Sequence, residues 1–259
     1  DLLEKRLSKR WTPFAKRLLI LVEDIIVKGA WKVTAITNFI VKYASERKVR
    51  EGIVLIPDGV DTNFFDPSRT DRKKIRNVYG LDKLTKICIY AGRIDVCSGA
   101  SLILETAKRL THRNDIKFMI VGEGDSTIID DMSKCENIIL TGRIPATSVP
   151  DYLAAADIVL VPFPSTVASH SISPLKLFEA LAMEKPIVAS AVSGIREVAG
   201  SENAILVSDD PNEWVHAVVQ LVDNFEDEAK TLGKKGRQLV IEKYDWNFLA
   251  KLFRDCLEL

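Results

Sequence analysis

The stretch SISPLKLFEALAMEKPIVAS, residues 171–190, sets a lysine two places after a Ser-Pro pair and a glutamate three places after that lysine. Serine caps free helical N–H groups and proline suits the first helical position, so Ser173-Pro174 predicts a helix start. The helix is expected from Pro174 to about Met183. It sets Leu175, Phe178 and Ala182 on one stripe and makes Lys176 and Glu179 neighbours on another. A helix amino-terminus favours anions, and a lysine in its first turns strengthens the attraction. The stretch is therefore either a phosphate site or an ordinary capped helix, with Glu179 either a ligand group or simply the partner of Lys176.

Other candidates for such a site are the glycine turns that follow strand-like runs: Gly92-Arg93, Gly122-Glu123-Gly124 and Thr141-Gly142-Arg143. Taken singly they say little. The pattern at 122–124 stops at Asp125, so it is not a dinucleotide GxGxxG, and tight strand-to-helix turns use glycine anyway. A bare Gly-Arg is also what a surface arginine capping a carbonyl would look like. Brought to one sheet edge, the set offers two cations, a helix amino-terminus, a carboxylate and three glycine turns. A carboxylate beside phosphates suits ribose hydroxyls, and the combination describes a site for a nucleoside diphosphate.

The elements that must position these residues are legible from about residue 86 onward. Short apolar runs rich in β-branched residues (KICIYAG, IKFMIVG, NIIL, DIVLVPF, PIVAS, AILVS) alternate with helical patterns at 99–112, 126–133, 147–155, 174–183 and 194–199. Longer helices are expected near 211–223, 227–242 and 246–257. Alternation of this kind predicts an α/β fold, a Rossmann-like parallel sheet with helices on both faces. Near-continuous apolar strands agree with burial on both sides. The first 50 residues read as helices, GIVLIPDGVD (52–61) as a strand into an Asp-Gly turn, and FFDPSRTDRKK as a polar linker. The domains expected are thus 1–51, 52–85 as linker and entry, 86–245 as the nucleotide-binding body, and 246–259 as a terminal helix.

Composition narrows the classes. The chain has 259 residues, 47% of them hydrophobic, enough for one large or two modest cores. Lys and Arg number 36 against 36 Asp and Glu, so no global field argues for a nucleic-acid partner. Four scattered cysteines with no CxxC fit a reducing cytosol and no metal site. Apolar runs such as LLILV at 18–22 are too short to span a bilayer. The first residue is Asp rather than Met, which points to a piece of a longer protein.

An ordered set of motifs carries a more specific signal: VLIPDGVDTNFFDP, IYAGR, FMIVGEG, IILTGRIP, YLAAADIVLVPF, SPLKLFEALAMEKPIVAS and GIREV. From about residue 32 to 257 the chain resembles the carboxyl-terminal, donor-binding half of a family-4 glycosyltransferase of the GT-B fold, in a subgroup with Ser-Pro-x-Lys before the family glutamate. The resemblance implies transfer of a sugar from a UDP- or GDP-sugar to a glycan or lipid-linked acceptor. It usually implies retention of anomeric configuration and no metal. By the same resemblance Arg93 and Lys176 hold the diphosphate, with Gly92 beside them and the helix start at Ser173, Pro174 and Leu175. Glu179 holds the ribose, the Gly122-Glu123-Gly124 turn approaches the nucleotide, and the backbone near Arg143 and Ile144 meets the base.

Two positions depart from the family pattern. Ser98 stands where a lysine commonly follows the Gly-Arg arginine by five places, and Ser171 stands where a first glutamate often precedes the second by eight. They motivate an alternative reading as a non-catalytic nucleotide-sugar-binding or partner subunit; a sugar-nucleotide epimerase of the same fold is a third. The resemblance makes residues 1–51 the last helices of the acceptor domain, with the terminal helix crossing back beneath it. His170, in the loop before the helix, is a candidate contact to the sugar. The basic start (Lys5, Arg6, Lys9, Arg10, Lys16, Arg17) is a candidate contact to anionic lipid on the cytoplasmic face of a membrane, the bland reading being a solvated helix face.

Overall fold

The computed structural model describes residues 12–46, 49 and 52–257. The chain divides into two compact units between Ile56 and Pro57. The first contains helix α1 (Thr12–Gly29), strand β1 (Val33–Ala35), helix α2 (Asn38–Ser45) and strand β2 (Ile53–Leu55). Strands β1 and β2 pair in parallel, Val33 opposite Ile53 and Ala35 opposite Leu55. Sequence reading expected a strand within 52–61, where β2 stands, and only helices before residue 51. A three-residue strand is too short to show a period-2 pattern, so Val33–Ala35 stayed hidden between two helical stretches.

The second unit carries a six-stranded, all-parallel sheet in the order β5-β4-β3-β6-β7-β8. The strands are β3 (Lys86–Ala91), β4 (Ile116–Val121), β5 (Ile138–Gly142), β6 (Ile158–Val161), β7 (Ile187–Ser190) and β8 (Ile205–Val207). All but β5 sit inside the apolar runs named above, and β5 continues two residues past NIIL through Thr141 and Gly142. Alternate residues feed opposite faces. Ile87, Ile89, Met119, Val121, Val159 and Val161 belong to one buried cluster. Cys88, Tyr90, Phe118, Ile120, Ile158 and Leu160 belong to the other. Period-2 alternation of nearly continuous apolar strands requires cover on both sides, and helices supply it. One face takes α3 (Arg72–Val78), α6 (Val149–Ala155) and α8 (Leu175–Ala182). The other takes α4 (Ala100–Arg109), α5 (Ser126–Ser133) and α10 (Pro211–Asp223).

The strand order reverses direction at β3, whose neighbours are β4 on one side and β6 on the other. That is the switch point of a doubly wound sheet, where a crevice opens outside the carboxyl ends of the strands. The Gly92, Gly122 and Gly142 turns follow β3, β4 and β5 and therefore stand at that edge.

The segment expected as a polar linker is ordered and packed. The Val60 N–H donates to the Tyr244 carbonyl at 2.9 Å and the Trp246 N–H returns to the Val60 carbonyl at 3.1 Å. Thr62 Oγ1 donates to Asp245 Oδ2 at 2.5 Å. Helix α3 begins inside the charged run, capped by Asp71. Its Arg76 is buried against Asp157, 3.3 Å away and itself wholly buried. A partner eighty-one residues along the chain could not be read from local charge. The short helices α7 (Val167–His170) and α9 (Ser193–Arg196) precede and follow α8, and helices α11 (Lys230–Lys243) and α12 (Trp246–Leu257) close the described chain. Among the described residues no helix is long and apolar enough to cross a membrane.

Candidate functional site

Outside the carboxyl ends of β3, β4 and β5 lies a cavity of about 420 Å³, lined by Gly92, Arg93, Gly122, Glu123, Arg143, Ile144 and Glu179 among others. Seven of the residues selected from sequence thus meet in one cleft, from four separate stretches of chain. Its volume falls in the range typical of small-molecule sites. Ala91, Val121, Ala146 and Val149 complete the wall. The last two were not singled out from sequence, where they read as an ordinary helix start.

The loops are locked to one another by backbone contacts. The Gly92 N–H donates to the Val121 carbonyl at 2.9 Å, the Ile94 N–H to the Glu123 carbonyl at 3.0 Å, and the Gly122 N–H to the Gly142 carbonyl at 3.0 Å. Gly122 has φ +145°, and a Cβ there would stand 1.9 Å from the Gly92 carbonyl oxygen. Its glycine is demanded by the neighbouring loop. Gly124 pairs with Ile94 across the same seam and lies on the adjoining depression beside Arg93 and Asp95.

Helix α8 starts one residue later than expected. Pro174 occupies the cap position and no side chain caps the helix. Ser173 Oγ is buried beside the Asp58 carboxyl instead of turning to the helix. Burial pushes the Asp58 acid above its usual range, and the serine hydroxyl draws it partly back. Asp58 was missed as a neighbour of Ser173 because it stands more than a hundred residues earlier in the chain. Leu175, expected on the buried stripe, is 49% exposed, and Ser173, Pro174, Leu175 and Lys176 are not among the residues that line the cavity. Phe178 and Ala182 are buried as expected. The Leu177 N–H bonds the Pro174 carbonyl at 2.9 Å. Among the described residues the Leu175 and Lys176 N–H groups have no acceptor, and they form the open amino-terminus of an uncapped helix.

The charged groups differ in setting. Arg93 is largely exposed, its Nε 3.9 Å from Asp95 Oδ2. Arg143 Nη1 stands 3.2 Å from Glu123 Oε1, both exposed. Ion pairs this exposed are worth about 0–1 kcal/mol and yield readily to a phosphate. Lys176 and Glu179 are half-buried. Burial pushes the Lys176 ammonium down to about 8, with Glu179 and Asp95 pulling upward. Burial raises the Glu179 carboxyl, and Lys176 opposes the rise. The Glu179 carboxylate has no hydrogen-bond partner among the described residues, so it is available to a ligand in the cavity it lines.

Ser98 is buried and closes a turn, its hydroxyl donating to the Asp95 carbonyl at 2.9 Å while its N–H reaches Asp95 Oδ1 at 2.7 Å. His170 is engaged on both ring nitrogens. Its Nδ1 accepts from the Ser193 N–H at 3.1 Å and lies 2.8 Å from Ser193 Oγ, and its Nε2 faces Ser165 Oγ at 3.3 Å. A backbone N–H only donates, so Nδ1 is the acceptor and Nε2 carries the proton. The Ser171 hydroxyl donates to the Ala168 carbonyl at 2.8 Å. Lys5, Arg6, Lys9 and Arg10 lie outside the described residues; Arg17 is exposed and Lys16 half-buried on α1.

A parallel sheet in this order, with a charged cleft outside the carboxyl ends at its switch point, defines a doubly wound α/β domain, a class in which ligands bind at that crevice. The profile of the family described as glycosyl transferases group 1 matches residues 85–224, and the chain belongs to that family. A GDP-mannose-dependent alpha-(1-6)-phosphatidylinositol monomannoside mannosyltransferase of Mycolicibacterium smegmatis is 27% identical over 202 residues, 74% of this chain and 52% of its own length. A D-inositol 3-phosphate glycosyltransferase of Xylanimonas cellulosilytica is 25% identical over 219 residues, 78% of this chain and 50% of its own length. The chain thus spans about half the length of these curated relatives.

Among solved structures, Anabaena HepE with UDP and glucose superposes with a TM-score of 0.78 at 16% identity, covering 100% of this chain and 69% of that one. A C-terminal domain of a glycosyl transferase group 1 family protein from Francisella tularensis superposes with a TM-score of 0.60 at 21% identity, covering 73% of this chain and 100% of that one. The likeness shows the fold expected from sequence, that of the GT-B glycosyltransferases.

Proposed function

We propose that this chain is the donor-binding half of a retaining family-4 glycosyltransferase of the Ser-Pro-x-Lys subgroup, and that its cavity holds the nucleoside diphosphate of a UDP- or GDP-sugar. The observation that carries the reading is that Arg93 and the unpartnered carboxylate of Glu179 line one cavity, with Lys176 Nζ beside Gly92 in its wall and the uncapped amino-terminus of α8 on the helix that carries Glu179. Relatives named for GDP-mannose and a solved neighbour holding UDP support the choice of ligand class.

In this reading the bond from the anomeric carbon to the diphosphate oxygen breaks, and its electron pair stays on the leaving oxygen. Arg93, Lys176 and the N–H groups of Leu175 and Lys176 meet that charge, each such donor being worth about 10²–10³ in rate. Glu179 accepts from the ribose hydroxyls. The backbone at Arg143 and Ile144, beside Ala146 and Val149, faces the base. Ser171 offers no carboxylate to attack the sugar. The acceptor hydroxyl therefore approaches on the face the diphosphate leaves, and its proton passes to the departing phosphate. The acceptor is a glycan or a lipid-linked sugar, and the reaction runs in the cytoplasm. Relatives named for phosphatidylinositol mannoside and lipopolysaccharide support a lipid-linked acceptor and a peripheral contact through the basic start.

A second reading, a non-catalytic nucleotide-sugar-binding subunit, is favoured by Ser98, which spends its hydroxyl on a turn where the family carries a phosphate-binding lysine. Turnover of UDP- and GDP-sugars by the intact enzyme separates the two readings. Sugar released or transferred supports the first. Tight nucleotide binding without turnover in the intact protein supports the second.

A further inference from the structure

We infer that Tyr90 and Phe163 are positioning residues for Lys176: their ring faces hold its ammonium beside Gly92, ready for a diphosphate, where a carboxylate partner would otherwise stand. The inference rests on the reading of the adjoining cavity as a nucleotide-sugar site. Lys176 Nζ lies 4.3 Å from the centroid of Tyr90 and 5.1 Å from that of Phe163. Both distances are within the reach of a cation–π contact. No carboxylate pairs with Lys176 within 4.0 Å among the described residues, although Glu179 and Asp95 act on it from farther off.

The two rings come from the strands on either side of the switch point, Tyr90 from β3 and Phe163 from just beyond β6. Each is itself fixed. Tyr90 is wholly buried and its hydroxyl donates to the Arg93 carbonyl, tying the ring to the turn that carries the second cation. The Phe163 N–H donates to Ser190 Oγ at 2.7 Å. Gly92 completes the cradle. Its φ is +151°, and a Cβ there would stand 3.0 Å from Lys176 Nζ and 3.2 Å from the Tyr90 hydroxyl oxygen, so any side chain would enter the space the ammonium uses.

The arrangement suits an incoming anion. A lysine held by a salt bridge must give up that bridge before it meets phosphate. A lysine held by ring faces keeps its N–H donors, and the rings are not charged competitors. Without the rings a four-carbon stem would sample many rotamers, and ordering it would weaken binding. The charged and titratable groups facing Lys176 are Glu179 on its own helix, Asp95 in the loop after β3 and Tyr90 on β3. Burial pushes the Tyr90 phenol up to about 12, so it stays neutral over the range in which Lys176 titrates.

The test is calorimetric titration of this chain with inorganic pyrophosphate, UDP and GDP from about pH 6.5 to 9.5, with melting temperatures to check folding. In the wild type, affinity falls as pH rises through about 8, because the ammonium loses its proton. Phe163→Leu keeps apolar bulk and removes the ring face. Its affinity at pH 7 should fall about three- to tenfold, and its pH midpoint should move down, since the lost face favoured the charged form. Pentafluorophenylalanine at position 163 keeps the ring's shape and reverses its charge distribution, so it should act in the same direction without a folding defect. Tyr90→Phe keeps the ring and should leave the midpoint where it was.

Wild-type affinity and midpoint in both position-163 variants would overturn the inference. So would uniform weakening with an unmoved midpoint, which marks a packing role, or a midpoint moved by Tyr90→Phe, which assigns the effect to the hydroxyl. If wild type binds none of the three probes, the site reading itself fails. If Lys176→Met abolishes binding while the ring variants match wild type, only the positioning role fails.

Discussion

Replacing Glu179 with alanine separates a ribose ligand from a structural partner of Lys176. The carboxylate lines the cavity, is half-buried and has no protein hydrogen-bond partner among the described residues, so a ribose hydroxyl would be its first. A hydrogen bond to a charged group is worth about 1.5–3 kcal/mol, which is about 10- to 150-fold in Kd. Calorimetry should compare a ribonucleoside diphosphate with its 2′,3′-dideoxy form in wild type and in Glu179→Ala. Wild type should prefer the ribose form by that factor, and the variant should lose most of the preference.

The two roles also differ in their pH behaviour. Glu179 raises the proton affinity of Lys176, whose value of about 8 already lies below that of a free lysine. Removing the carboxylate lets the ammonium titrate lower still, so pyrophosphate binding should be lost at a lower pH in the variant. If the variant shifts that midpoint yet prefers ribose as strongly as wild type, Glu179 is a partner of Lys176 and its assignment to ribose is wrong.

Arg93→Ala or Lys176→Ala in the intact enzyme should lower kcat/KM by about 10²–10³, and the double variant should lose less than the product because both charges serve one diphosphate; wild-type turnover in either removes that residue from the mechanism. Ser98→Lys should not tighten UDP or GDP binding. It opens the Asp95–Ser98 turn and should cost about 1–2 kcal/mol by thermal melting, whereas a stable variant with higher affinity would show that the loop can take another path. Gly122→Ala should destabilise by at least about 1–3 kcal/mol, because its backbone is strained for any other residue and its Cβ meets the Gly92 carbonyl; an unchanged melting temperature would contradict that packing. This chain by itself should transfer little or no sugar from UDP- or GDP-sugars, since positioning of an acceptor supplies about 7–11 kcal/mol; robust transfer would show that no second domain is needed.

The sheet was legible because its signal is local and dense. Six apolar runs, each bounded by a turn, mapped onto β3 to β8, and the glycines after them marked the edge where the cleft opens. Period alone does not show which loops touch, yet Rossmann-like order brings the ends of β3, β4 and β5 together, which was enough to gather Arg93, Glu123 and Arg143, and helix α8 brings Glu179 to the same cavity. What stayed hidden depends on distant partners or on very few residues. Strand β1 has three residues. Ser173 looks like a cap until Asp58 arrives beside it. Tyr90 reads as one more apolar strand residue, and only the fold brings its ring to Lys176. His170 has the chemistry of a sugar contact, and its ring is taken up by Ser193 and Ser165.

The most direct test of the central claim is the heat of binding of UDP and GDP to this chain, folded as judged by circular dichroism, alongside Arg93→Ala and Lys176→Ala. Saturable one-site binding of at least one of the two is expected, weakened about tenfold or more in each variant by loss of a charge-assisted contact. A folded chain that binds neither nucleotide, or that binds one equally well without Arg93 and without Lys176, would contradict it.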